Sequence, residues 1–217
     1  MHIEVGILSA TKVVGANTAA LGLLGAHAPG FLRRPHDVVK TLLAAVFFAV
    51  FMQVWHQPVG PSELHFIGAS TIYLVFGFLP TMFGFALGLL LQGALFEPLD
   101  LVHLGVNTLS LTVPLIAAHR LIGRRILAAG EGSAVAWSSV LKFDAVYYGG
   151  VVTMVGFWLA CGDVQTSLAA WAWLAVSYLP VALCEPAISC AILRALHRLD
   201  ARSPLRQIVA LNGTVVA

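Results

Sequence analysis

The chain opens with Met1-His2, and a second histidine, His65, ends the stretch Ser62-Glu63-Leu64-His65. The amine of Met1, the backbone nitrogen of His2 and its imidazole Nδ1 can close two fused chelate rings. Those rings set three nitrogens in a plane around one metal ion. A second imidazole such as His65 completes the fourth corner. Planar nitrogen ligation is the preference of Ni(II) and Cu(II), and Co(II) can be admitted. Imidazoles ligate when neutral, so such binding should weaken as the pH falls. The chelate needs Met1 retained with a free amine. Ala26-His27-Ala28 has the form of a signal-peptide cleavage site, but Glu4 is the one charge before Lys12. A signal peptide carries a basic start, so the segment reads as uncleaved. The bulk of His2 argues against removal of Met1.

Other polar residues surround this pair in the sequence. Ser62 and Glu63 immediately precede the loop histidine, and His56 and His103 flank the neighbouring apolar stretches. Each is a candidate for orienting the ligands or meeting an incoming ion. Asn107 either bridges helices or orients His65 from outside the ligand set. Asp144 and Glu185 fall within apolar stretches, where an ionisable group is a functional suspect. Lys142 lies near the first, and neither is assigned a catalytic role. His27, His36, His119 and His197 read as flanking residues, and Cys161, Cys184 and Cys190 form no C-x-x-C pair. No H-E-x-x-H, G-x-S-x-G or G-x-x-x-x-G-K-[ST] occurs. The chain therefore reads as no enzyme, and ATP could drive it only through another subunit.

The elements that must hold these residues are membrane helices. Of 217 residues, 59% are hydrophobic and 10% charged, against about a quarter charged in soluble domains. The net charge of +2 gives no case for nucleic acid. The expected fold is all-α and integral to the membrane, one domain over 1–217. Its spans are expected at 5–27, 41–57, 66–79, 81–96, 103–122, 136–161 and 167–193, followed by a short tail. Residues 66–96 are largely apolar and carry no charge; as one helix they would run about 46 Å, too long for a core of about 30 Å. Splitting them at Pro80 puts Arg33, Arg34 and Lys40 on the same side as Arg120, Arg124, Arg125 and the basic tail. That satisfies the positive-inside rule, with the N-terminus outside and the C-terminus in the cytoplasm. Glu4, Glu63, Glu97, Asp100 and Asp163 then lie outside with His2, His56, His65 and His103, a face that attracts divalent cations.

The opening Met1-His2-Ile3-x-x-Gly6-x-Leu8-Ser9 resembles the start of the CbiM/NikM group. These are the substrate-binding S components of energy-coupling-factor nickel and cobalt transporters. The resemblance continues through His65-Phe66-Ile67-Gly68, Gln92-Gly93-Ala94-Leu95-Phe96 and Gly105-Val106-Asn107. It is good over the first half and rests on hydropathy in the second. It implies a six-helix core plus one extra N-terminal helix that turns the amino terminus into the core. It also implies a square-planar site made by Met1, His2 and His65, with no cofactor beyond the transported Ni(II) or Co(II). The implied partners are a transmembrane T subunit and two cytoplasmic ATPases, in a bacterial or archaeal cytoplasmic membrane. Small faces at Ala45/Ala49 or on the first helix are expected to meet the T subunit. This chain departs from the group at Glu63, where a small hydroxylic residue is usual, and at Ser110, where a second asparagine is usual. Two other readings stand beside this one. A haem or redox protein would need axial histidines on facing helices, and a metal sensor would bind without transport.

Overall fold

The computed structural model describes residues 6–59, 62–129, 133–200, 202–211 and 214–216. Met1, His2 and Glu4 lie outside the described residues, as do Gly60 and Pro61. Helix α1 (Ala10–Leu32) is followed by α2 (His36–Val54) and an antiparallel hairpin, β1 (His56–Val59) with β2 (Ser62–His65). Then come α3 (Ala69–Phe76) and α4 (Phe78–Leu95). A 3₁₀ turn, Pro98–His103, leads into α5 (Leu104–Ala118), a π-helical turn (His119–Gly123) and α6 (Arg124–Leu127). Strand β3 (Ala134–Ala136) precedes α7 (Trp137–Cys161), α8 (Leu168–Ser177), α9 (Leu179–His197) and α10 (Pro204–Gln207). The chain closes on β4 (Thr214–Val216), parallel to β3.

Among the described residues, five helical stretches are long and apolar enough to cross a bilayer: His36–Val54, Phe78–Leu95, Pro98–Leu127, Trp137–Cys161 and Leu168–His197. Helix α1 has the length, 23 residues, but carries Lys12, Asn17 and His27. Helix α3 has eight residues, about 12 Å of rise. The chain breaks at Gly77 (φ 89°, ψ 175°), where Pro80 was expected to divide it. Pro80 sits instead in the first turn of α4, where a missing N–H costs no helical hydrogen bond. The expected last span is two helices meeting at Tyr178, with Pro180 in the first turn of the second.

Helices α2 and α4 pack closely because α4 presents glycines. A Cβ on Gly84 would come 2.7 Å from Ala44 Cβ, and one on Gly88 would come 2.9 Å from the Ala45 carbonyl oxygen. Ala45 and Ala49 are buried in this chain. That corrects the expectation that they meet a T subunit: their small surface is spent inside the bundle. On α1, by contrast, nothing lies within 4 Å of where a Cβ would sit on Gly15, Gly22 or Gly25.

Helix α3 is the centre of the molecule, and all eight of its residues are buried. A helix that starts and stops inside the protein must find partners there for its end N–H and C=O groups. At its start, the Ser70 amide donates to Glu185 Oε1 of α9 at 2.8 Å. At its end, the amides of Ala210 and Leu211 donate to the carbonyls of Val75 and Leu74 at 2.7 and 3.1 Å. Val209 and Leu211 are buried with them. Within the stretch expected to be a short tail, residues 209–211 thus form a packed strap.

Contacts sort the connections to two ends. At one end Phe78 stacks on His119 (3.9 Å, 8°) and Tyr73 shares a 2.7 Å hydrogen bond with His119 Nδ1, near the strap. The opposite end gathers the hairpin, residues 7–12 and the α7–α8 connection.

Candidate metal centre

His65, expected on a loop, ends β2 of the hairpin. Its register pairs His56 with His65, Gln57 with Leu64, Pro58 with Glu63 and Val59 with Ser62. Directly opposed residues share a face, and the His56 and His65 rings lie 6.1 Å apart, tilted by 28°. His65 is buried while His56 is exposed. The His65 ring is held from two sides: Nδ1 lies 3.4 Å from the Met52 carbonyl oxygen of α2, and Nε2 lies 3.0 Å from Glu63 Oε2. Both contacts are to acceptors, so a metal ion at either ring nitrogen would take the place of the proton shared there. Ser62 is buried, and its Oγ has no hydrogen-bond partner among the described residues.

Backbone geometry fixes where this histidine points. Gly68, three residues on, has φ +68°, and a Cβ there would lie 3.0 Å from Phe51 Cδ2 and Cε2. Phe51 also packs edge-on against Phe66, with centroids 5.3 Å apart. The corner between His65 and α3 is therefore closed by α2 on one side and by the helix start on the other.

Two of the remaining candidates enter on α5. His103 closes the 3₁₀ turn and Asn107 sits in the first turn of α5, both buried. Asn107 Oδ1 has no hydrogen-bond partner among the described residues. The start of α5 is fixed from α1, where Asn17 Oδ1 accepts from the Gly105 amide at 2.6 Å.

The first described residues are pinned to the same end by Asp163. Its amide donates to the Ile7 carbonyl at 2.8 Å, and its Oδ2 accepts from the Ser9 amide at 2.8 Å. Its Oδ1 accepts from the Lys12 ammonium. The carboxylate thus caps α1, whose neighbouring Ser9 makes no side-chain cap. The Lys12 ammonium, helped by Ser9, holds the Asp163 carboxyl below its ordinary range. Nothing in the sequence signalled this clamp, because its partners are more than 150 positions apart.

Among the described residues, no three His, Cys, Asp or Glu side chains converge as a metal-holding group. Met1 and His2, the other two expected ligands, lie outside the described residues. The described part of the centre is a buried imidazole, an adjacent carboxylate and a clamp on the residues that follow the chain start.

The sequence model of one family, described as the cobalt uptake substrate-specific transmembrane region, matches residues 2–203. The chain belongs to the CbiM family. That makes it a multi-pass membrane component of cobalt or nickel uptake, a transport component in a family that usually works with other transporter subunits. The match spans both halves of the chain and includes the hairpin, α3 and Asp163. No curated protein and no solved structure matches the chain.

Proposed function

We propose that this CbiM-family chain is the substrate-binding S component of an energy-coupling-factor transporter. It would capture Ni(II) or Co(II) at the outer face of the cytoplasmic membrane of a bacterium or archaeon. The ion is gripped by the Met1 amine, the His2 backbone and side-chain nitrogens, and His65. The observation that carries this reading is the buried His65 imidazole, held at Nδ1 by the Met52 carbonyl, at the end where Asp163 pins residues 7–12. Five residues lie between Ile3 and Ser9, so the two ligating residues ahead of Ile3 sit on a short tether. Glu63 sits against Nε2, so an arriving cation meets a carboxylate beside its imidazole ligand. Ser62, His56, His103 and Asn107 are the polar groups we place around the ion and along its way in.

Seven crossings complete the proposal: the five long apolar stretches, α1, and the short α3 with its flanking residues. The N-terminus faces out, and the basic end bearing Arg120, Arg124, Arg125 and Arg194 faces the cytoplasm. A transmembrane T subunit would dock on the open small-residue face of α1, and two ATPases below it would supply the energy. Extending the chain by two residues ahead of Met1 destroys the terminal amine and the ring geometry. Nickel and cobalt binding by the purified, folded protein should then be lost. Undiminished binding would overturn the ligand set. Intact-mass measurement of the parent checks that Met1 is present and unblocked.

A further inference from the structure

The two carboxylates inside the apolar helices belong to one hydrogen-bonded cluster around the start of α3. Glu185 uses both oxygens: Oε1 accepts from the Ser70 amide at 2.8 Å, and Oε2 accepts from the Tyr148 hydroxyl. Ser70 Oγ lies 2.8 Å from Asp144 Oδ2, 3.3 Å from Glu185 Oε1 and 2.7 Å from Ser189 Oγ. Thr71 Oγ1 lies 2.7 Å from Ser189 Oγ. Each hydroxyl has one proton to give. If Ser70 donates to Asp144, Ser189 must donate to Ser70 and Thr71 to Ser189, so one chain of donors runs toward Asp144. Asp144, Glu185, Ser70 and Ser189 are all fully buried.

Carboxylates are an expensive way to satisfy a helix start in apolar surroundings, where serine, threonine or asparagine would cap without a charge. What Glu185 adds is reach and two acceptors: one oxygen takes the Ser70 amide across from α9 while the other takes the Tyr148 hydroxyl. Rigidity at this point matters because of what precedes α3. The chain runs from His65 through Phe66, the fully buried Ile67 and the left-handed Gly68 into the helix. Ser70 is five residues past the imidazole, with no slack between them. Two further rings, Tyr147 at 5.4 Å and Tyr178 at 5.6 Å from the Tyr148 ring, wall in the Glu185 partner.

We propose that Glu185 is a positioning residue for metal capture: from α9 it fixes the first turn of α3, and through that turn the backbone that aims His65. The inference rests on His65 being a ligand. It assigns Asp144 the supporting part of holding Ser70 by its hydroxyl, and it joins the last membrane helix to the backbone that carries His65, with Ser189 of the same helix bonding Ser70 and Thr71 beside it.

The test compares Glu185→Gln with Glu185→Asp in the purified full chain, using Ni(II) titration and the d–d absorption of the bound ion. Glutamine keeps the reach and an oxygen acceptor for the Ser70 amide but loses the charge. Aspartate keeps the charge but withdraws it by one methylene. A positioning role ranks glutamine above aspartate. Glu185→Gln should stay near the parent, while folded Glu185→Asp should lose about tenfold or more in affinity, the scale for residues that orient metal ligands, with a shifted d–d band. Equal affinity and spectra in both folded variants would overturn the inference, as would glutamine being the worse of the two. Glu185→Asn has the shortened reach without the charge and is read in the same way if the aspartate variant does not accumulate. His65→Ala separates the two levels. Full nickel binding by that variant overturns the ligand assignment itself, whereas loss there with an unchanged Glu185→Asp overturns only the positioning role.

Discussion

Replacing Gly68 by alanine perturbs the corner behind His65 with the smallest possible change. At φ +68° an L-residue suffers a clash between Cβ and the following carbonyl, worth about 1–2 kcal/mol. The new Cβ would also stand 3.0 Å from two carbons of the Phe51 ring, closer than a comfortable contact. That ring cannot swing freely, because its other neighbours are Phe47 at 4.2 Å and Phe66 at 5.3 Å. Overpacking of this kind adds about 1–3 kcal/mol, so a total of about 2–5 kcal/mol is expected. The assay is equilibrium unfolding by SDS titration in mixed micelles, with Gly22→Ala as the control. Gly22 lies in the interior of α1 with open space where a Cβ would go, so alanine there should be neutral or stabilising by up to about 1 kcal/mol. Metal affinity should fall in Gly68→Ala and not in Gly22→Ala, because Phe66, against which Phe51 packs, adjoins His65. Equal stabilities for the two variants would refute the claim that this corner is conformationally locked.

Asp163→Asn tests the clamp on residues 7–12 through pH. Because the folded carboxyl titrates below its ordinary value of 3.8, its contribution is present above that value and disappears as the pH falls through the lower folded one. The parent should be the more stable at pH 6, as read by thermal melting, and the gap to Asp163→Asn should close on acidification below 3.8. A gap that is independent of pH would contradict the ion pair. Truncation after Ile208 removes the amides that cap Leu74 and Val75. Two buried carbonyls without partners cost about 2–6 kcal/mol together, measurable by the same SDS titration; unchanged stability would show that the strap is dispensable.

Hydropathy locates the apolar stretches well where one helix equals one run. The expected 136–161 lies one residue from Trp137–Cys161, since a bilayer crossing demands length and little else. It fails where the break depends on backbone conformation. Pro80 looked like the helix breaker, yet proline is at home in a first turn, and the break falls at Gly77, which can take φ 89°. The hairpin was hidden by Pro58, Gly60 and Pro61, residues depleted in strands, although one of its four register pairs joins Pro58 to Glu63. His65 could be singled out by its pairing with the chain start. The groups that fix its surroundings could not. Asp163, Asn17 and Glu185 act across 88 to 154 positions, and such pairings leave no local pattern. Glu185 alone carried a signal, a charge in an apolar run, and that signal does not say which helix end it satisfies.

The most direct test of the central claim is X-ray absorption and d–d spectroscopy of the nickel-loaded protein, recorded with the parent chain start and with two residues added before Met1. The account predicts a four-coordinate planar site of nitrogen ligands in the parent, lost in the extended chain and in His65→Ala. A six-coordinate, oxygen-rich ion, or the same spectrum in parent and extended chain, would contradict it.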